Sequence, residues 1–139
     1  MKNIDPIILI DDDEDDCEIL RDAFGILEIP NPLLCFRDTS KAIEYLRKTE
    51  EQPFLILCDI NMPGISGIEL RRLINKEEYL RRKSIPFIFY TTYVNKATVL
   101  QAYDMDVQGF FEKGNNITHV KQVISAIYTY WRFCRHPND

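Results

Sequence analysis

The sequence predicts an α/β protein in which a parallel β-sheet carries helices on both faces. Three observations lead there. Five short apolar runs, at residues 7–10, 33–36, 54–58, 87–90 and 109–111, are too short for helices and contain no polar residue. Strands buried on both faces have this pattern. Segments of helical period lie between and after the runs, and the two kinds alternate strictly, which implies parallel pairing through helical crossovers.

Each helical segment has its apolar markers. The first carries Cys17, Leu20, Phe24 and Leu27 on one face, and the second carries Ala42, Ile43 and Leu46. Ile68, Leu70, Leu73 and Ile74 mark the third, and Val99, Ala102 and Tyr103 a shorter fourth. Ile117, Val120, Ile124, Ile127 and Trp131 line the fifth. Right-handed crossovers leave few ways to arrange five such units, and the flavodoxin-like (βα)5 order 2-1-3-4-5 is the natural choice. The 139 residues are expected to form one domain, residues 1–139, with a core of about 4–134. Only a short polar tail follows, so no separate output domain is expected.

Composition narrows the classes. Hydrophobic residues make up 45% and charged residues 28%, and the net charge is −5. A general affinity for nucleic acid or an anionic membrane is not expected from that balance. No apolar stretch reaches membrane-spanning length, and the first residues lack a basic-then-apolar leader, so a cytoplasmic protein is expected. Cys17, Cys35, Cys58 and Cys134 are widely spaced, without a C-x-x-C or Cys/His ligand pattern. They read as reduced, buried thiols.

In sheets of this order, ligands sit beyond the carboxyl ends of the strands. Strand one ends in Asp11-Asp12, strand three in Asp59, strand four in Thr91-Thr92, and strand five at Glu112-Lys113. Strands one and three are neighbours, so Asp11, Asp12 and Asp59 should converge. Three carboxylates that close repel one another and need a cation or protons. Oxygen ligands with open positions suit Mg²⁺. A carboxylate can also be a nucleophile and form an aspartyl phosphate. Lys113 and a strand-four hydroxyl would then offset the phosphoryl charge. Thr92 competes with Thr91 for that role, and counting from Pro86 favours Thr91. Asp13 to Asp16 read as helix-start acids rather than ligands. An EF-hand starting at Asp11 fails because Asp16 stands where glycine is required.

The stretches Ile8-Leu9-Ile10-Asp11-Asp12-Asp13, Leu57-Cys58-Asp59-Ile60-Asn61-Met62-Pro63-Gly64, Pro86 through Thr92, and Gly109-Phe110-Phe111-Glu112-Lys113 together resemble the receiver domain of two-component response regulators. The resemblance covers nearly the whole chain. It implies that Asp59 accepts a phosphoryl group, and that Asp11, Asp12, Asp59 and the backbone carbonyl of Asn61 hold Mg²⁺. It also implies that Lys113 pairs with Asp59 or the phosphoryl group, and that Thr91 and Phe110 form the switch. Pro63-Gly64 would shape the turn after the acceptor, with Gly67 close behind. The implied donor is a histidine kinase or a histidine phosphotransfer protein. Output would use the face of the fourth helix, fifth strand and fifth helix, toward a downstream protein or in a homodimer. Catalysis would be limited to self-phosphorylation and autodephosphorylation.

Two positions depart from the family pattern. Gly114 follows Lys113 where proline, often cis, is usual, so the next loop can take another path. Phe110 replaces a common tyrosine and loses its hydroxyl. Two related roles stay open: a relay intermediate that passes phosphate to a histidine, and an unphosphorylated interaction module. A phosphatase of the same fold would need an acid where Asn61 stands. His119 and His136 read as solvated, and Arg71, Arg72, Arg81, Arg82 and Lys83 as a solvated basic face. Tyr128, Tyr130 and Phe133 give the last helix a second apolar face, for another chain or for packing.

Overall fold

The computed structural model describes residues 4–92 and 94–136. The expectations about the extreme N-terminus and the last residues of the polar tail fall outside them. The elements are β1 (Ile7–Ile10), α1 (Glu14–Ile26), β2 (Leu33–Phe36), α2 (Thr39–Lys48), β3 (Leu55–Cys58), α3 (Gly67–Lys76), α4 (Glu78–Arg82), β4 (Phe87–Thr91), α5 (Lys96–Tyr103), β5 (Gly109–Glu112) and α6 (Ile117–Phe133). The sheet is parallel in the order β2-β1-β3-β4-β5, as expected. No helix among the described residues is long and apolar enough to cross a membrane.

Alternation along each strand sends successive side chains to opposite faces. Ile8, Ile10, Ile56, Cys58, Phe87 and Phe89 meet α2, α3, α4 and α5 through Ile43, Leu46, Leu70, Leu80 and Ala102. Ile7, Leu9, Leu55, Leu57, Ile88 and Tyr90 meet α1 and α6 through Leu20, Phe24, Val120, Ile124 and Ile127. The central strands β1, β3 and β4 are therefore buried throughout, whereas the edges β2 and β5 are buried only at Leu33 and Gly109. Helix starts are set by side chains that accept from exposed amides: Asp13 from Asp15, Asp38 from Ser40, Asn95 from Thr98 and Asn116 from His119. Ser66 and Glu69 complete a reciprocal capping box on α3.

Several expectations are corrected. Cys17 and Cys35 are joined in a disulfide, with Cα atoms 6.2 Å apart. Their separation of 18 residues carries no ligand or cystine signature, but parallel pairing of β1 with β2 brings Cys35 beneath α1. Cys58 and Cys134 remain free thiols. Arg71 is buried rather than solvated: Nε donates to Met105 O at 3.2 Å, a terminal nitrogen donates to Asp106 O at 2.8 Å, and the guanidinium lies 4.9 Å from the Phe87 ring centre. Burial pulls the Arg71 pKa down from its ordinary value. His136 is also buried, stacked on Phe54 with ring centres 4.7 Å apart, while His119 is exposed as expected. Tyr103 faces outward. The last helix divides its aromatic residues: Tyr128 packs on Phe54 at 6.0 Å, but Tyr130 and Phe133 are 64% and 76% exposed.

The loop after β5 explains one departure from the family pattern. No peptide among the described residues is cis. A Cβ on Gly114 would lie 2.9 Å from both Val120 N and His119 Nδ1, so the chain passes close beneath the first turn of α6. Gly114→Pro, which restores the usual family residue, should therefore destabilise the protein by about 1–3 kcal/mol through overpacking. Thermal unfolding would show this as a fall in Tm of several degrees, and an unchanged Tm would show that the α6 turn yields freely.

Candidate functional site

The site lies at the carboxyl ends of β1, β3, β4 and β5, and backbone bonds hold its parts in register. Asp11 N donates to Phe36 O at 3.0 Å, Asp59 N to Ile10 O at 2.9 Å, and Lys113 N to Thr91 O at 2.9 Å. Asp11 and Asp59 are buried, and Asp12 is half-buried. One carboxylate oxygen from each of the three lies within 4.8 Å of the others. Hard oxygen donors in that number suit a divalent cation.

Lys113 reaches into this group from β5. Its ammonium lies 2.6 Å from Asp11 Oδ2, 2.8 Å from Asp16 Oδ2 and 3.6 Å from Asp59 Oδ2. Burial acts to lower its pKa, but hydrogen bonds to Asp11 and Asp16 outweigh burial and raise it. Lys113 therefore stays charged. At Asp11 burial wins instead: it pushes the carboxyl up to about 6, against the opposing effects of Lys113 and the Asp13 amide. One ammonium does not neutralise this many acids. The remaining negative charge is what a metal ion would meet.

Asp59 has two unlike oxygens. Oδ1 accepts from Ile60 N at 2.9 Å, while Oδ2 faces Lys113. Beneath it, the Cys58 thiol donates to Asp59 O at 3.2 Å, and burial raises the Cys58 pKa so that it stays neutral. Thr91 is fully buried at the end of β4, whereas Thr92 is exposed. Phe110 is half-buried on β5, with its ring 6.1 Å from that of Phe89. Asn61 is exposed in the β3–α3 loop. The residues singled out from strand ends are thus gathered at one end of the sheet.

One contributor was missed. Asp16 was expected to serve only the start of α1, and Asp13 does that job while Asp16 binds Lys113. The signal was present in the spacing: Asp16 lies four residues before Leu20 and eight before Phe24, on the face of α1 turned to the sheet. Gly67, expected close behind the Pro63-Gly64 turn, begins α3 directly against Asp59. A Cβ there would collide with the carbonyl oxygen of Asp59 and lie 3.0 Å from its carbonyl carbon. The turn before it uses Gly64 at φ +83, a left-handed conformation that favours glycine.

Known proteins share this fold. The sequence matches the response regulator receiver domain family over residues 7–125. Response regulator Rcp1 of Synechocystis sp. is 27% identical over 130 residues, covering 90% of this chain and 87% of that protein. The solved structure of the phosphorylated cyanobacterial phytochrome response regulator RcpA is 27% identical and superposes with a TM-score of 0.85, over 96% of this chain and 98% of that one. The Mn²⁺-bound form of Rcp1 is 26% identical, with a TM-score of 0.81 over 96% of this chain and 99% of that one. The chain belongs to the response regulator receiver domain family. It is a signalling domain of two-component systems, a family characterised by phosphorylation of an aspartate and by binding of Mg²⁺ or Mn²⁺ in an acidic pocket.

The contact of Gly67 with Asp59 can be tested. Gly67→Ala must displace either α3 or the Asp59 carbonyl, at a cost of about 1–3 kcal/mol. Denaturant unfolding should report that loss, and a wild-type midpoint would mean that the start of α3 slides without penalty.

Proposed function

We propose that Asp59 is the phosphoryl acceptor, that Asp11, Asp12, Asp59 and the Asn61 carbonyl hold Mg²⁺, and that a phosphohistidine on a histidine kinase or phosphotransfer protein is the donor. One observation carries this reading: the Lys113 ammonium is held beside Asp59 Oδ2 by Asp11 and Asp16, at the edge of a three-carboxylate cluster. Oδ1 of Asp59 is engaged by the Ile60 amide, so Oδ2 is the oxygen left to react. As Oδ2 forms its bond to phosphorus, the bond from phosphorus to the donor imidazole nitrogen breaks, and the imidazole departs with the bonding pair. Lys113 is already charged and oriented toward the oxygens that gain negative charge. Bound Mg²⁺ supplies the positive charge that lets the carboxylates and a phosphoryl group share the pocket. The same residues would support self-catalysed phosphorylation and later hydrolysis. The relatives named for phytochromes make a phytochrome-associated kinase the first donor to try.

The switch reading rests on packing. Thr91 ends β4, and Phe110 on β5 pairs in register with Phe89, which shares β4 with Thr91. Phe110 also lines a surface cleft of about 440 Å³ with Tyr103, Phe111, Tyr130 and Trp131. A shift of Thr91 toward the phosphoryl group would alter the space available to Phe110 and so the shape of the α5–β5–α6 face. That face carries the exposed Leu100, Tyr103, Tyr130 and Phe133, which suit a protein partner. This connection favours signalling by shape over simple relay.

With Mg²⁺ and acetyl phosphate, intact mass should show one phosphoryl adduct on the wild type and none on Asp59→Asn; an equal adduct on the variant would overturn the assignment. Cation binding should also depend on pH. Protons compete with the metal for Asp11, whose carboxyl is pushed up to about 6. Mg²⁺ affinity, read by calorimetry, should therefore rise with pH by about tenfold per unit at most below that value and level off above it. An affinity independent of pH between 5 and 7 would remove Asp11 from the ligand set.

A further inference from the structure

The cystine that joins α1 to β2 sits between two sets of contacts that grip the acidic loop. We propose that Cys17–Cys35 is a redox-modification site, and that its reduction by a dithiol loosens the pocket and lowers its affinity for a divalent cation. The proposal rests on the metal-site reading above and extends it to regulation.

The first set of contacts is on α1. Cys17 directly follows Asp16, whose carboxylate bonds Lys113 at 2.8 Å. The second set is on β2. Cys35 directly precedes Phe36, whose carbonyl accepts from Asp11 N at 3.0 Å. The next residue, Arg37, donates from Nε to Asp12 O at 3.3 Å and pairs with Glu14 at 3.4 Å. The disulfide thus ties together the two segments that flank Asp11 and Asp12.

Burial shows why the tie matters locally. The body of α1 is anchored by Leu20, Ala23 and Phe24. Residues 13–19 include no buried side chain. The start of the helix therefore depends on the disulfide, the Asp13 cap, the Asp16–Lys113 bond and the exposed Glu14–Arg37 pair. Cutting the disulfide frees this turn to open without unfolding the domain. A cluster of ligands that must be ordered at the moment of binding binds more weakly than one already ordered.

Access and chemistry agree. Both cysteines are half-buried, and β2 is an edge strand, so a reductant can approach. The Arg21 guanidinium lies 3.9 Å from Cys35 Sγ, where it favours a departing thiolate. A reductant thiolate attacks Cys17 Sγ, and Cys35 leaves with the electron pair and takes a proton. The second thiol of the reductant then displaces Cys17, giving two protein thiols and one oxidised dithiol. A small disulfide such as oxidised glutathione reverses the exchange.

The test compares the full chain, oxidised with glutathione disulfide or reduced with dithiothreitol, by Mg²⁺ calorimetry and by alkylation under denaturing conditions. Oxidised protein should take two alkyl groups, at Cys58 and Cys134, and reduced protein four. Reduction should weaken Mg²⁺ binding by about fivefold or more. Cys17→Ser/Cys35→Ser should bind like the reduced form and ignore dithiothreitol. Should that variant not fold, hydrogen exchange of residues 12–17 in the wild type replaces it, and faster exchange is expected only on reduction. Four alkyl groups on the oxidised sample, equal affinity in both states, unchanged exchange, or a dithiothreitol effect that survives in the variant would each overturn the proposal. Absence of Mg²⁺ binding in both states would instead sink the metal-site reading, and the coupling with it.

Discussion

The ammonium of Lys113, buried among the carboxylates of Asp11, Asp16 and Asp59, is the interaction on which the site depends. Carboxylates a few ångströms apart repel by on the order of a few kcal/mol per pair even at an effective dielectric near 20. Bringing β1 and β3 together forces that repulsion, because Asp11 and Asp59 follow directly on paired residues Ile10 and Cys58. Lys113 offsets part of it from the far edge of the sheet, and Asp16 fixes where the ammonium points. Burial leaves Asp11 with a carboxyl that is harder to ionise than usual. The folded chain therefore holds an acidic pocket whose charge is only partly compensated, which favours a cation on arrival.

Close packing gives that pocket its shape. Gly67 brings α3 against the carbonyl of Asp59, and Gly114 lets the chain after Lys113 run beneath the start of α6. Both contacts come from helices that approach the site end of the sheet, one on each face. A methyl group at either position meets backbone atoms, which cannot rotate away as a side chain could. The loss of the usual proline after Lys113 is thus accommodated by a tighter path. It is not simply a relaxed one.

The site and the outer surface share β4 and β5. Thr91 and Phe89 lie on one strand, Lys113 and Phe110 at or near the end of the next, and the two strands pair throughout. A change in charge at the strand ends can therefore reach the cleft lined by Phe110, Tyr103 and Tyr130 through two residues of backbone. On the opposite edge, β2 contributes no carboxylate, yet its Phe36 carbonyl and Arg37 hold the loop that carries Asp11 and Asp12.

The sequence by itself determined the five strands, their order and the residues at their ends. Unbroken apolar runs and helical spacing are local patterns, and parallel topology then places Asp11, Asp12, Asp59, Thr91 and Lys113 together. Even Asp16 was legible, since its spacing from Leu20 and Phe24 turns it to the sheet. Only the tertiary structure decided the rest. Arg71 and His136 resemble surface residues until α3 finds the carbonyls of Met105 and Asp106, and His136 stacks on Phe54. Cys17 and Cys35 resemble ordinary core thiols until β2 takes its place beneath α1. These outcomes depend on which distant segments come within a few ångströms, and no local period or charge pattern encodes that distance.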